Sequence, residues 1–173
     1  MISILPCIGP APTFDRSFTV TAELRISLCE GVFTYDAVAV ESYEKTYADE
    51  GEEDGGEMFA AHLNGELAGI IVLSRAWNGY ALIEDIAVAR NLRRVGVATA
   101  LLKHAKAWCL RQGLPGIMLE TQHNNLAACR LYERHGFRLR GVDLELYCGL
   151  PNQIRPEIAL FWYWQADSDD TIA

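Results

Sequence analysis

Between Leu82 and Leu102 an apolar, strand-like run is interrupted by the carboxylate of Glu84. It then leads into Arg93-Arg94-Val95-Gly96-Val97-Ala98, which reads as a basic turn at the start of a helix. The first amides of a helix lack intrahelical acceptors and sit at the positive end of its dipole, so such a turn, flanked by two arginines, suits a phosphate. Gly96 would let the anion approach the backbone, and small Ala98 would keep the first helical turn open. A solvated loop between strand and helix could carry the same six residues. Glu84 is placed to remove a proton, directly or through a water, with Glu120 at the end of a later strand as second choice. Either could instead be an exposed or paired charge.

These residues need a scaffold, and its periods are readable. Residues 1–17 carry three prolines and no period, and are expected to form an N-terminal arm. Phe18 to Leu28 alternates as a strand, and a second is expected near Val32 to Val40. Asn64-Gly65 between Met58–Leu63 and Leu67–Ser74 predicts a β-hairpin. Trp77-Asn78-Gly79 then turns the chain into a strand over Tyr80 to Val88. The spacing of Ala98, Leu101, Leu102, Ala105, Trp108 and Cys109 predicts a helix over 97–112, stopped by Gly113 and Pro115. A strand over Gly116 to Gln122 follows, making a right-handed crossover between parallel neighbours the expectation. Asn124 or Asn125 can cap a shorter helix holding Ala128, Leu131, Tyr132 and His135, closed by Gly136. Phe137 to Tyr147, irregular at Gly141, and Glu157 to Trp164 read as the last strands. The sum is an α/β fold with a mixed, mostly antiparallel sheet and two helices.

The chain has 173 residues, half of them apolar, enough for one sizeable core. No apolar run reaches the roughly 18 residues of a spanning helix, and Met1-Ile2-Ser3 opens without a basic signal region, so a cytoplasmic protein is expected. The net charge of −8 argues against nucleic acid and is compatible with a small cationic partner. Asp49, Glu50, Glu52, Glu53, Asp54 and Glu57 read as a flexible acidic loop, solvated or substrate-attracting. Cys7, Cys29, Cys109, Cys129 and Cys148 form no C-x-x-C pair and read as buried thiols, so no metal site is expected. His62, His104, His123 and His135 read as surface or capping residues. Trp77 and Trp162 to Trp164 could line a pocket, with core packing favoured for most of them. Phe161 to Trp164 could form a homodimer seam or lie inside one subunit.

The spacing Arg93-x-x-Gly96-x-Ala98 resembles the acyl-CoA pyrophosphate signature of the GNAT superfamily of N-acetyltransferases. Asn125 to Phe137 resembles the family's N-x-x-A-x-x-L-Y-E-x-x-G-F segment at every stated position. The resemblance implies a GNAT-like single domain over 18–165, a disordered tail over 166–173, and acetyl-CoA as co-substrate. It implies that Ile86, Ala87 and Val88 bond the pantetheine through their backbone, that Arg93, Arg94, Val95, Gly96, Val97, Ala98 and Thr99 hold the pyrophosphate, that Asn125 touches the pantetheine, and that Tyr132 faces the sulfur as the acid. A lysine-like amine with a pKa of about 10.4 is neutral at pH 7 in roughly one molecule in several thousand, a handicap of about 4.6 kcal/mol that gives Glu84 its task as base. No acyl-enzyme is expected, since no cysteine has a histidine at an activating spacing.

Trp77-Asn78, Glu84, Glu120-Thr121-Gln122, Asn124-Asn125, Asp143-Leu144, Tyr147 and Trp162-Tyr163-Trp164 resemble streptothricin acetyltransferases over roughly residues 18 to 165. The resemblance implies acetylation of the β-lysine amine of streptothricin and antibiotic resistance, with Trp77, Asn78 and Glu120 toward the substrate. Against the superfamily's common plan, two amphipathic helices are not evident between residues 20 and 57. The alternatives are another cationic amine (a polyamine, an aminoglycoside or a protein lysine) or a non-catalytic acyl-CoA-binding sensor.

Overall fold

The computed structural model describes residues 1–46, 55–150 and 155–166. In chain order the elements are β1 (Ile2–Pro6), β2 (Phe18–Cys29), β3 (Val32–Lys45), β4 (Glu57–Leu63), β5 (Glu66–Arg75), β6 (Ala81–Val88), α1 (Val97–Arg111), β7 (Gly116–Gln122), α2 (Leu126–Arg134), β8 (Arg138–Asp143) and β9 (Ala159–Gln165). The chain divides into two compact units: residues 1–18, 46–118 and from 165 onward, and residues 19–45 with 119–164.

In the first unit, β1, β4, β5 and β6 are neighbours in that order, each pair antiparallel, and α1 packs on all four. The β4–β5 hairpin turns at Asn64 (φ 53°) and Gly65 (φ 90°), the left-handed pair that matches the twist of the flanking strands. The buried face of α1 is Val97, Leu101, Leu102, Ala105, Trp108 and Cys109, close to the stripe expected from its spacing. The arm is more ordered than its prolines suggest. Its first residues form β1, registering Ile2 with Leu63 and Pro6 with Phe59 at the edge of the sheet, where a proline's missing donor is tolerated. Its end is fastened by an Arg16–Asp85 ion pair of 2.9 Å and by Arg90 Nη1 donating 2.7 Å to Ser17 Oγ. Glu57, expected in the acidic loop, is instead the first residue of β4. Asp49, Glu50, Glu52, Glu53 and Asp54 lie outside the described residues, as do residues 167–173 of the expected tail.

In the second unit, β2 and β3 form a two-stranded sheet joined at Glu30 (φ 50°) and Gly31 (φ 77°). A hairpin of 12- and 14-residue strands therefore occupies most of the region where helices were not evident. β8 pairs antiparallel with β9, its register slipping between Leu139 and Gly141. Two strands are shorter than their alternation suggests. Asp143 Oδ1 accepts from the amides of Glu145 (2.8 Å) and Leu146 (3.1 Å), an Asx turn that ends β8 before Tyr147. Glu157 joins a side-chain network instead of opening β9. The aromatic core holds Trp162, 1% exposed, against Tyr35 and Tyr132. Trp162 and Trp164 are thus interior to the chain.

The cysteines divide differently from expectation: Cys109 and Cys129 are buried, whereas Cys29 and Cys148 are exposed and Cys7 is intermediate. Among the described residues no helix is long and apolar enough to cross a membrane, and none of His, Cys, Asp and Glu gather in threes fit to hold a metal.

Candidate active site

The first unit brings Glu84, the strand Ile86-Ala87-Val88 and the turn Arg93–Thr99 onto one continuous piece of chain. β6 pairs with β5 through Val88–Gly69, Ala87–Ile70, Ile86–Ile71 and Asp85–Val72, then resumes at Ile83–Leu73. Glu84 is the residue left over, at a β-bulge. A bulge breaks the strict alternation of a strand and re-aims the side chain it carries. Glu84 Oε2 is buried with no hydrogen-bond partner among the described residues. An unpartnered carboxylate oxygen is costly to bury, so its natural complement is a proton or an N–H donor.

Two residues beyond β6, a 3₁₀ turn over Arg90–Leu92 feeds the helix start. Gly96 is the N-cap residue of α1 with φ 95°, and the first helical bond runs from the Ala100 amide to the Gly96 carbonyl (3.0 Å). Gly96 has no side chain to cap the first-turn amides, so the helix start keeps the anion-seeking character of an open N-terminus. The reason for glycine here is mainly conformational. A Cβ would meet only Ile2 Cδ1, at 3.9 Å, among the described residues, whereas the positive φ is strained for any other side chain. Arg94, exposed and itself left-handed at φ 68°, stands in the turn with exposed Val95.

Arg93 is engaged within the chain. Its guanidinium donates to the carbonyls of Val88 (3.1 Å), Ser17 (2.7 Å) and Arg16 (2.9 Å), tying the end of β6 and the arm to the turn. Partial burial, with Arg90 nearby, lowers its pKa from the ordinary arginine value. Trp77 and Asn78 sit in the β5–β6 turn. Trp77 is 98% exposed, so it is not a core residue. Asn78 Oδ1 accepts from the Tyr80 amide (3.2 Å), and its Nδ2 contacts Met118 Sδ.

The second unit holds Glu120, Asn125 and Tyr132. Glu120 accepts a short hydrogen bond from the hydroxyl of buried Tyr147, so this carboxylate has a partner within the chain. Asn125 is the N-cap of α2, its Oδ1 accepting from the Ala128 amide at 3.2 Å. Tyr132, 4% exposed, packs its ring against Phe137 and Trp162. The buried face of α2 is narrower than its spacing suggests, limited to Cys129 and Tyr132. Burial pushes the Cys129 thiol up to about 12, which removes it as a nucleophile at neutral pH.

A polar network that the sequence did not disclose lies just before Asn125. Asn124, 2% exposed, donates to the Tyr43 hydroxyl and to Glu157 Oε1, both at 3.1 Å. Tyr43 in turn donates to Glu23 (3.1 Å), and Lys45 pairs closely with Glu157. His123, 7% exposed, accepts from the Ile158 amide at Nδ1 (3.2 Å), leaving Nε2 3.7 Å from Glu23 Oε2. Burial lowers the His123 pKa despite the two carboxylates, so the imidazole is held toward its neutral form.

The residues fit a phosphorylated acyl carrier on two observations: a glycine-led helix start with no side-chain cap, and a buried carboxylate oxygen left without a donor on the strand leading to it. The sequence model of the acetyltransferase (GNAT) family matches residues 26–137. Over 171 residues the chain is 36% identical to streptothricin acetyltransferase of Escherichia coli, covering 98% of each chain. Over 158 residues it is 40% identical to streptothricin acetyltransferase A of Bacillus subtilis (strain 168), covering 87% of this chain and 90% of that one. A Bacillus anthracis str. Ames crystal structure in complex with acetyl coenzyme A superposes with a TM-score of 0.87 at 38% identity, covering 96% of this chain and all of that one.

Proposed function

Because the chain belongs to the GNAT acetyltransferase family, we propose that it acetylates the β-lysine amine of streptothricin and so confers resistance to that antibiotic. The fold is the family's mixed, mostly antiparallel sheet with two helices, and the enzyme is an acetyl-CoA-dependent N-acetyltransferase. The observation that carries the catalytic part is the bulge. It takes Glu84 out of the β5–β6 register on the strand that leads into the Gly96 turn, and leaves Oε2 buried without a partner among the described residues.

In this reading the first-turn amides of α1, with Arg94 beside them, bind the diphosphate of acetyl-CoA, and the β6 backbone at Ile86–Val88 holds the pantetheine. Arg93 shapes the turn by fixing the arm and the end of β6. Acetyl-CoA supplies the acetyl group as an activated thioester. Glu84 takes the proton from the substrate ammonium, a deprotonation that costs a lysine-like amine roughly 4.6 kcal/mol at pH 7, and the freed amine attacks the thioester carbonyl, forming the amide C–N bond as the C–S bond breaks. The Tyr132 hydroxyl holds the proton that the leaving sulfur takes up. Glu120, engaged by Tyr147, orients substrate and is the weaker candidate for base.

Streptothricin as acceptor is supported by the identity to two streptothricin acetyltransferases over most of the chain. The net charge of −8 is compatible with a polycationic substrate, whose encounter it would accelerate. The test is thiol release from acetyl-CoA with purified protein and a panel of amines: streptothricin, a polyamine, an aminoglycoside and a lysine peptide. Streptothricin is expected to give the highest kcat/KM. Preference for another amine would retain the enzyme and replace its substrate. No release above the enzyme-free control with any of them would favour a binding role.

A further inference from the structure

The backbone at Gly56, one residue before β4, lies against the side chain of Glu84. A Cβ placed on Gly56 would stand 2.6 Å from Glu84 Oε2 and 2.5 Å from Val72 Cγ1, closer than real Cβ contacts come. Gly56 is not glycine for the sake of its dihedral angles, since its φ lies outside the left-handed region. Gly55 shows the opposite case: φ is 130° there, and an added Cβ would meet nothing within 4 Å among the described residues. The absent methyl at Gly56 is therefore a matter of space, and a carboxylate oxygen occupies part of it.

The position is tied to the bulge. Leu73 pairs with Glu57 on one side and with Ile83 on the other, while Val72 pairs with Met58 and with Asp85. Gly56 thus enters the sheet where β6 ejects Glu84, beside Val72, which flanks the slip. We infer that Gly56 is a positioning residue for Glu84: the missing side chain is the slot that receives Oε2, confining the carboxylate to one orientation. This rests on the reading of Glu84 as the base.

The inference is tested by a double-mutant cycle on Gly56→Ala and Glu84→Gln, with kcat for streptothricin and the acetyl-CoA dissociation constant measured for each protein. Glu84 is the far end of a flexible chain, so an added methyl can push it aside without breaking the sheet. Val72 is stiffer, and Gly56→Ala/Val72→Ala relieves that contact if the single variant folds poorly in a thermal melt. Glu84→Gln is expected to lower kcat by about a hundredfold or more, in the range of general base catalysis, and Gly56→Ala by about tenfold. The acetyl-CoA dissociation constant should stay within about twofold of the parent in both, and Gly56→Ala should cost nothing further once Glu84 is Gln, since the two act through one carboxylate. A wild-type kcat for Gly56→Ala would overturn the inference. An undiminished loss in the Glu84→Gln background would overturn it too, by making Gly56 a merely structural residue. Full activity of Glu84→Gln would remove the base assignment itself, and that outcome is visible before Gly56 is changed.

Discussion

Arg93 reaches back to the arm, its Nη1 donating 2.7 Å to the carbonyl of Ser17 while exposed Arg94 next to it is left-handed at φ 68°. Adjacent arginines of one motif thus differ in setting: Arg93 fastens the turn, and Arg94 is exposed beside it, where we propose that it adds charge for the diphosphate. Arg93→Ala should lower stability by about 2 kcal/mol, the scale of hydrogen bonds from a charged group. Arg94→Ala should leave the melting temperature near the parent's and weaken acetyl-CoA binding several-fold, with the difference shrinking at high salt. Thermal melts and titration calorimetry at two salt concentrations measure both.

Gly96→Ala places a side chain at φ 95°, which costs about 1–2 kcal/mol and reorients the first amides of α1. Gly113→Ala, at φ 64° beyond the other end of the helix, imposes similar backbone strain with nothing within 4 Å among the described residues. Comparable losses of melting temperature are expected. Only Gly96→Ala should weaken acetyl-CoA binding, by about tenfold or more, as expected for loss of oriented donors to a charged group.

Asn125 caps α2 through Oδ1, the atom that aspartate retains. Asn125→Ala should cost about 1 kcal/mol as a lost cap, whereas Asn125→Asp should keep that stability. If the amide nitrogen also donates to pantetheine, Asn125→Asp will raise KM for acetyl-CoA at unchanged melting temperature. An unchanged KM would confine Asn125 to capping.

His123 is held toward its neutral form by burial, and the same cause lowers the pKa of His104. The unfolded chain therefore binds protons that the folded chain refuses. The associated stability is fully present above the unfolded value of about 6.5 and is lost as pH falls below it toward the lowered folded values. His123→Asn, whose Oδ1 takes the place of Nδ1 as acceptor for the Ile158 amide, should flatten the fall of melting temperature between neutral and mildly acidic pH. An unchanged slope would contradict this account of the network.

The local periods were enough to locate α1, the Asn64-Gly65 hairpin and β7, and to narrow the cap of α2 to Asn124 or Asn125, because each is set by side chains a few residues apart. What escaped depends on distant partners. β1 is held by residues 59–63, nearly sixty positions away, and its five residues carry no period of their own. The fastening role of Arg93 required knowing that residues 16 and 17 return to it. The network around Asn124 joins β2, β3 and the chain before β9, an arrangement no spacing reveals. The bulge at Glu84 did leave a trace. The polar pair Glu84-Asp85 interrupts the apolar runs Ala81-Leu82-Ile83 and Ile86-Ala87-Val88, which marks a break in the strand without giving its register. Trp77 was the opposite case, a residue type usually interior that sits at a turn, 98% exposed.

The central claim is that the start of α1 holds the diphosphate of acetyl-CoA at the end of the strand carrying Glu84. A crystal structure of this chain with saturating acetyl-CoA tests it most directly. Diphosphate oxygens within hydrogen-bond distance of the backbone amides of the Arg93–Thr99 turn are the expected result, and a nucleotide lodged elsewhere with that turn empty would contradict it.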